Sequence, residues 1–399
     1  MRWAQARSVA RTSLACRPFG VGTCWIDGLG YALSSSTQRL ADGYCNAITS
    51  ILPHDFDPPR LPAAVASSHF PHAATGKGPH VNALAPIDAD GTMLYRYAHA
   101  THRGMVRDQN EDAIAIAAKS GLAIVADGMG GYNAGEVASR LAADFLMTHL
   151  VEDLAQLRDG AARRTTGPDH SHRMLHALLR ARIDGANEAI IDVASREPEC
   201  EGMGTTLAML LFSQDAATTL HLGDSRVYRM RNGVLALLTR DHSLLQEQID
   251  AGLVTLRDAR ASLNRNFVTR ALGVDVVAEP EISDHALLPG DLYLICSDGL
   301  PDMLSDEEIF DLLRLHFGDE EGDGDLTESY VDRPGDGRVA DAAVLDEVAV
   351  KLVDAANAQG GRDNVSVVLA SVGYARDAVP KSENTADDAP DGGSGSTRS

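Results

Sequence analysis

Leu122-Ala-Ile-Val-Ala-Asp127-Gly-Met-Gly-Gly131 is the stretch from which the rest of this chain is read. A short apolar run bounded by turn residues predicts a strand, and here the strand delivers a carboxylate at its end. Two other runs stop in the same way: Leu220-His-Leu-Gly223 runs into Asp224-Ser225, and Leu292-Tyr-Leu-Ile-Cys296 into Ser297-Asp298-Gly299. Asp363 stands just before the predicted strand Val365 to Val372, and Glu111 and Asp112 just before Ala113 to Ala117. One Asp-Gly by itself marks a hairpin turn; its recurrence at strand ends points elsewhere. If those ends share a rim, five or six carboxylates converge, and like charges so close cannot all remain ionised without compensation. A divalent cation is the natural compensator. Oxygen ligands without nearby His or Cys indicate Mg²⁺ or Mn²⁺ rather than zinc. Gly128 lets the backbone turn sharply and bring its own carbonyl within reach of such an ion.

Outward from this stretch, strands are predicted over Leu94 to Ala100, Ala113 to Ala117 and Leu122 to Ala126, then a helix over Ala134 to Leu150. Leu175, Leu178, Leu179, Ile183, Ala186 and Ile190 recur at helical steps and predict a second helix with one buried face. Strands follow over Leu207 to Phe212, Thr219 to Leu222, Arg226 to Met230 and Val234 to Leu238, then a polar and mostly helical stretch from Gln246 to Arg270. The strand Leu292 to Cys296, helices over Asp306 to Leu315 and Val339 to Asn357, and the strand Val365 to Val372 complete the pattern. Runs of strands between paired helices favour antiparallel sheets over a strict βαβ alternation. The expected fold is therefore α+β, a four-layer α/β/β/α sandwich of two mainly antiparallel sheets flanked by helices.

The 399 residues have a formal net charge of -22, which disfavours nucleic acid and anionic membranes as partners. Much of that charge lies in two stretches that read as solvated, Asp319 to Glu347 and Asp377 to Asp391. No apolar run approaches the roughly eighteen residues of a membrane helix. Five cysteines, three of them before Met93 and none in a C-x-x-C pair, argue against a disulfide framework or a zinc site and for a reducing, cytoplasmic setting. None is followed by an arginine six positions on, as a cysteine-nucleophile phosphatase loop requires. Residues 1–92 lack sustained periodicity and are expected to form an unstructured extension, residues 93–375 the working domain, and residues 376–399 a disordered tail. An acidic loop is expected over about 318–338. Arg2, Arg7, Arg11 and Arg17 occur with no acid in the first 26 residues, as in transit peptides and over-extended reading frames. Met93, the first methionine after Met1, stands just before the first predicted strand, so a targeting segment and a translation start at or near Met93 are the two readings of this stretch.

Seven stretches taken in order then resemble one family. Arg107-Asp-Gln-Asn110-Glu111-Asp112, Asp127-Gly-Met-Gly-Gly131, Gly202-Met-Gly-Thr-Thr206, Gly223-Asp-Ser-Arg226, Val268-Thr-Arg-Ala-Leu-Gly273, Ser297-Asp-Gly-Leu300 and Gly361-Arg-Asp-Asn364 are similar to the motifs of bacterial metal-dependent type 2C protein phosphatases. The resemblance covers about Leu94 to Gly373. It implies that Asp127 bridges two ions, Gly128 adds its carbonyl, and Asp298 and Asp363 complete the first site. Glu111 and Asp112 would hold waters of the second, and Asp224 with Asp302 a third, weaker ion. Arg107 would bind the phosphate through its planar fork. Asp241-His242-Ser243 would lead into a mobile flap over about 246–265. Arg226 and Arg270 are expected to pair internally with carboxylates, Thr205 and Thr206 to shape a strand start, and the remaining histidines to be structural. The resemblance also implies the substrate class, phosphoserine and phosphothreonine in proteins, a cognate Ser/Thr kinase and its substrates as partners, and a monomer needing no nucleic acid or membrane. The competing readings are a catalytically inactive sensor or binding module of the same fold, whose mark would be lost ligands, and another two-metal hydrolase such as a nuclease, which the negative charge disfavours.

Overall fold

The computed structural model describes residues 85–86, 93–131, 134–162, 168–213, 216–255, 267–317 and 337–374. Residues 1–84 and the tail 376–399, with half of the flap and most of the acidic loop, lie outside the described residues. Twelve strands are described: β1 Ala85–Pro86, β2 Met93–His102, β3 Asp112–Ala117, β4 Leu122–Met129, β5 Gly204–Thr205, β6 Leu207–Phe212, β7 Ala216–Leu222, β8 Arg226–Arg231, β9 Val234–Leu237, β10 Glu281–Ala286, β11 Leu292–Cys296 and β12 Val365–Tyr374. The α-helices are α1 Ala134–Ala162, α2 Pro168–Arg196, α3 Leu244–Asp250, α4 Asp306–Phe317 and α5 Ala342–Ala358.

One sheet runs β1-β2-β12-β11-β8-β9 and the other β10-β7-β6-β4-β3, with β5 attached to β4, and all these strand pairs are antiparallel. The four expected layers follow from how the central strands divide their side chains. In β4, Leu122, Ile124 and Ala126 pack with Leu146, Leu150, Leu179 and Ile183 of α1 and α2, whereas Ala123 and Val125 point into the space between the sheets. In β12, Val365, Val367 and Leu369 meet Val348 and Leu352 of α5, while Val368, Ala370 and Val372 join the inter-sheet layer. A strand covered on both faces is apolar at nearly every position, which is why these runs show no polar–apolar alternation in the sequence. Tyr95, Tyr97, Phe212 and Tyr293 fill the inter-sheet layer as an aromatic cluster, with neighbouring ring centroids 5.2 to 6.0 Å apart.

Several expected boundaries move. Ala85–Pro86 pairs with Leu94 and Tyr95, so sheet pairing reaches into the stretch expected to be unstructured. Both long helices extend past their clearest apolar periodicity, to Ala162 and back to Pro168. The last helix begins at Ala342 rather than Val339, because the Asp341 carboxylate caps it by accepting the Ala343 amide at 2.8 Å. The helical stretch expected from Gln246 is α3 alone, which ends at Asp250 among the described residues. Strand β10, Glu-Ile-Ser-Asp-His-Ala, went unpredicted: it is an edge strand, half-exposed and polar, whose only strand partner among the described residues is β7.

Candidate metal centre

The rim of the two sheets gathers the acids from β3, β4 and the ends of β11 and β12. Asp112 lies directly opposite Asp127 in the β3–β4 register. Thr206 holds the Asp127 backbone, its Oγ1 accepting the Asp127 amide at 3.0 Å, while the Asp127 carbonyl accepts the Thr206 amide and the Thr205 hydroxyl at 2.9 Å each. The two threonines thus shape the start of β5 and β6 beside the acids, as expected. From the facing sheet, Ser297 at the end of β11 donates to Asp112 Oδ2 at 2.8 Å. Ser297 Oγ also accepts the Ser366 amide of β12 at 3.0 Å, which ties both sheets to one carboxylate.

Burial and mutual repulsion dominate the electrostatics. Asp127 is pushed well above the usual carboxylate range, first by burial and then by Asp112, Asp298, Asp224 and Asp363. Asp298 is raised in the same way, by burial and then by Asp224, Asp363, Asp302 and Asp112. Asp112 is raised to about 6 by burial, against hydrogen bonds from Ser366 and Ser297, and Asp224 to about 7 by burial and then Asp241. Glu111 is also raised, chiefly by burial. Asp298 Oδ1 and Asp112 Oδ1 are buried without a hydrogen-bond partner among the described residues. Orphaned carboxylate oxygens within a cluster of like charges are what a divalent cation would satisfy, and every side-chain donor in the cluster is oxygen.

The loops are fitted to the same point. A Cβ on Gly128 would stand 2.0 Å from the Gly135 carbonyl oxygen and 2.7 Å from that of Glu111, so only glycine lets β4 pass beneath the start of α1. Asn364, in the motif that supplies Asp363, accepts the Glu111 amide at 2.8 Å and donates to the carbonyls of Arg103 and Gln109 at 3.0 and 2.8 Å. It fastens the loop that carries Arg107. Arg107 Nη2 donates to Asp363 Oδ2 at 2.7 Å, and its side chain is 51% exposed, so the fork faces outward beside the acids. Asp302 donates its amide to the Asp298 carbonyl at 2.9 Å, which places both on one turn. Arg226 pairs with both oxygens of Asp241 at 2.9 and 2.7 Å, the internal role expected of it. Tyr132, three positions after Met129 in the sequence, lies outside the described residues.

The structure brings together Glu111, Asp112, Asp127, Gly128, Asp298 and Asp363, with Asp224 and Asp302 close enough in the same field to raise Asp298. Sequence reasoning missed Asn364 as the loop anchor and Ser297 as the inter-sheet tie. Both stand inside the motifs quoted for their aspartates, so their position was visible while their partners were not.

A family model described as protein phosphatase 2C matches residues 100–323, more than half of the chain. The chain belongs to the protein phosphatase 2C family. Among its relatives, the serine/threonine protein phosphatase PstP of Mycobacterium tuberculosis is 36% identical over 281 residues, covering 70% of this chain and 46% of PstP. The chain therefore spans about half the length of that relative. A putative protein phosphatase 2C-type of Streptococcus pyogenes is 32% identical over 67% of this chain and 94% of its own. The crystal structure of the PstP catalytic domain in complex with two manganese ions is 35% identical with a TM-score of 0.54, covering 70% of this chain and 99% of that one. The S. agalactiae serine/threonine phosphatase structure is 30% identical with a TM-score of 0.53, covering 69% and 99%. The two-sheet sandwich is thus the fold of this family.

Proposed function

We propose that the protein is a metal-dependent phosphatase hydrolysing phosphoserine and phosphothreonine in proteins, with residues 93–375 as its working domain. The observation that carries the reading is the cluster of buried, mutually repelling acids around Asp127 and Asp298, gathered at strand ends of the two sheets. PstP's structure with two manganese ions supports the same chemistry here, with Mg²⁺ or Mn²⁺ as the ion.

Asp127, Asp298 and Asp363, with the Gly128 carbonyl, would hold the first ion; Asp127, Glu111 and Asp112 the second; Asp224 and Asp302 a third. Bound cations supply the positive charge and the acidified water that hydrolysis of a phosphomonoester needs. The chain's own groups do the rest. Arg107, exposed and already turned toward Asp363, orients the phosphate by binding two of its oxygens. Asn364 and Ser297 keep the carboxylates from relaxing apart, so that little reorganisation accompanies binding. No side chain needs to act as nucleophile. Every acid that the chemistry requires is present, which favours an enzyme over an inactive module of the same fold.

No described helix is long and apolar enough to cross a membrane. Cys200 and Cys296 are free thiols, which supports action in the reducing cytoplasm, opposite a Ser/Thr kinase and its substrates. The test is hydrolysis of a phosphothreonine peptide by the full chain with Mn²⁺, with excess EDTA, and after Mn²⁺ is restored. Activity that survives the chelator would refute the proposal.

A further inference from the structure

Gly223, the residue before Asp224, has φ +99°, and a Cβ there would lie 2.7 Å from Thr206 Cγ2. Both of its backbone polar groups turn to one residue. The His242 amide donates to the Gly223 carbonyl at 2.8 Å, and the Gly223 amide donates to His242 Nδ1 at 3.3 Å. His242 is 8% exposed and is itself held on several sides. Its ring stacks on His221 with centroids 4.6 Å apart and planes 20° from parallel, and its Nε2 lies 3.6 Å from Glu281 Oε2. Its carbonyl accepts the Thr269 amide at 2.8 Å. His221 and Glu281 are direct partners in the β7–β10 register, and His221 Nε2 donates to the Arg240 carbonyl at 2.8 Å.

To accept the Gly223 amide, Nδ1 of His242 must carry a lone pair, which puts the proton of the neutral ring on Nε2, facing the Glu281 carboxylate. Burial, with His221 and Arg270 nearby, pushes its pKa down to about 4, so the ring is neutral at pH 7. The candidate ligand atoms of His221, His242 and Glu281 lie within 4.8 Å of one another, yet this is not a metal site. Two rings stacked so nearly parallel cannot both aim an in-plane lone pair at one ion, and the His242 nitrogen facing Glu281 carries a proton.

We infer that His242 is a positioning residue for Asp224, clamping the amide and carbonyl of Gly223 so that the Asp224 carboxylate stands where the third cation binds. This rests on the proposed role of Asp224 as a ligand of that ion. Stacking on His221 holds the plane of the ring, and the Gly223 amide sets its tautomer with Nε2 on the side of Glu281, in the way that outer partners commonly orient a metal ligand.

The test counts Mn²⁺ bound to the full chain and its affinities, by equilibrium dialysis, together with amide exchange at Gly223. His242→Ala is expected to weaken the weakest ion by about tenfold or more, leave the tighter ions unchanged and speed exchange at Gly223. His242→Asn, whose Oδ1 can replace Nδ1 as acceptor, should restore both; His242→Gln, whose amide reaches the Nε2 position instead, should not. For phosphopeptide turnover, the Mn²⁺ requirement should rise in His242→Ala while kcat at saturating Mn²⁺ is kept. Asp224→Ala is the control: if it retains the weakest ion, the ligand assignment fails whatever His242 does. If Asp224→Ala loses that ion while His242→Ala binds it as the wild type does, the positioning role is overturned. It is equally overturned if His242→Asn and His242→Gln lose affinity and melting temperature alike, since His242 would then serve packing alone.

Discussion

At the scale of single residues, the chemistry follows from acids forced to share a buried rim. Asp298 has one oxygen without a hydrogen-bond partner among the described residues and a pKa raised by burial and four neighbouring aspartates. Asp298→Asn keeps the shape and removes the charge, so the fold should survive while turnover falls by several orders of magnitude. Retention of more than about a tenth of wild-type turnover, a barrier cost under roughly 1.4 kcal/mol, would show that Asp298 is no ligand. Asp224 serves a different prediction. Met129 stands two residues after Asp127, and a thioether cannot give the leaving alkoxide a proton. If the ion at Asp224 and Asp302 supports that protonation, Asp224→Ala should slow phosphothreonine peptides far more than p-nitrophenyl phosphate, whose leaving group needs little help. Equal losses on both substrates would argue against it.

At the scale of elements, the site depends on two surfaces meeting without a side chain between them. Strand β4 crosses the first turn of α1 at Gly128 and Gly135, and a Cβ on Gly128 would collide with backbone rather than with a flexible side chain. Gly128→Ala should therefore cost about 1–3 kcal/mol or more of stability and displace Asp127 next to it. Chemical denaturation and Mn²⁺ binding would both report it, and an unchanged variant would show that α1 can move aside. The helices behind this contact hold it by packing. Leu146 of α1 is fully buried between β4 and α2, and Leu146→Ala should cost about 2–5 kcal/mol without altering metal affinity in the fraction still folded.

Over the whole molecule, the clustered acids link stability to pH and metal together. A carboxyl raised in the folded state holds a proton that the unfolded chain has released, so its contribution is present at low pH and lost as pH rises through the folded value. With Asp224 raised to about 7 and Asp127 and Asp298 also raised, that loss begins above the ordinary carboxylate value near 4 and is still under way as pH passes through 7. His221 and His242, both lowered by burial, act with the opposite sign, but only below the ordinary histidine value near 6.5. Metal-free protein should therefore melt at a lower temperature at pH 8 than at pH 6.5, and Mn²⁺ should reduce or reverse that fall by replacing protons with cations. A melting temperature in EDTA that is flat across this range would contradict the clustering. Much of this molecule was legible beforehand: the runs of β4, β11 and β12 are apolar on both faces, apart from the buried Ser366 and Ser371 of β12, because both faces are covered, and an acid follows each covered strand or stands just before it. Those local facts carried the sandwich and most of the acids. Strand β10 was not legible, because a half-exposed edge strand has no apolar signature and exists through its partner β7. Nor could any local pattern show that Ser297 reaches Asp112 across 185 positions, that Asn364 fastens the Arg107 loop, or that His242 closes on Gly223. Periodicity and turn chemistry act between near neighbours and so appear in the sequence, whereas register, sheet stacking and the choice of hydrogen-bond partners arise only when distant segments are packed together.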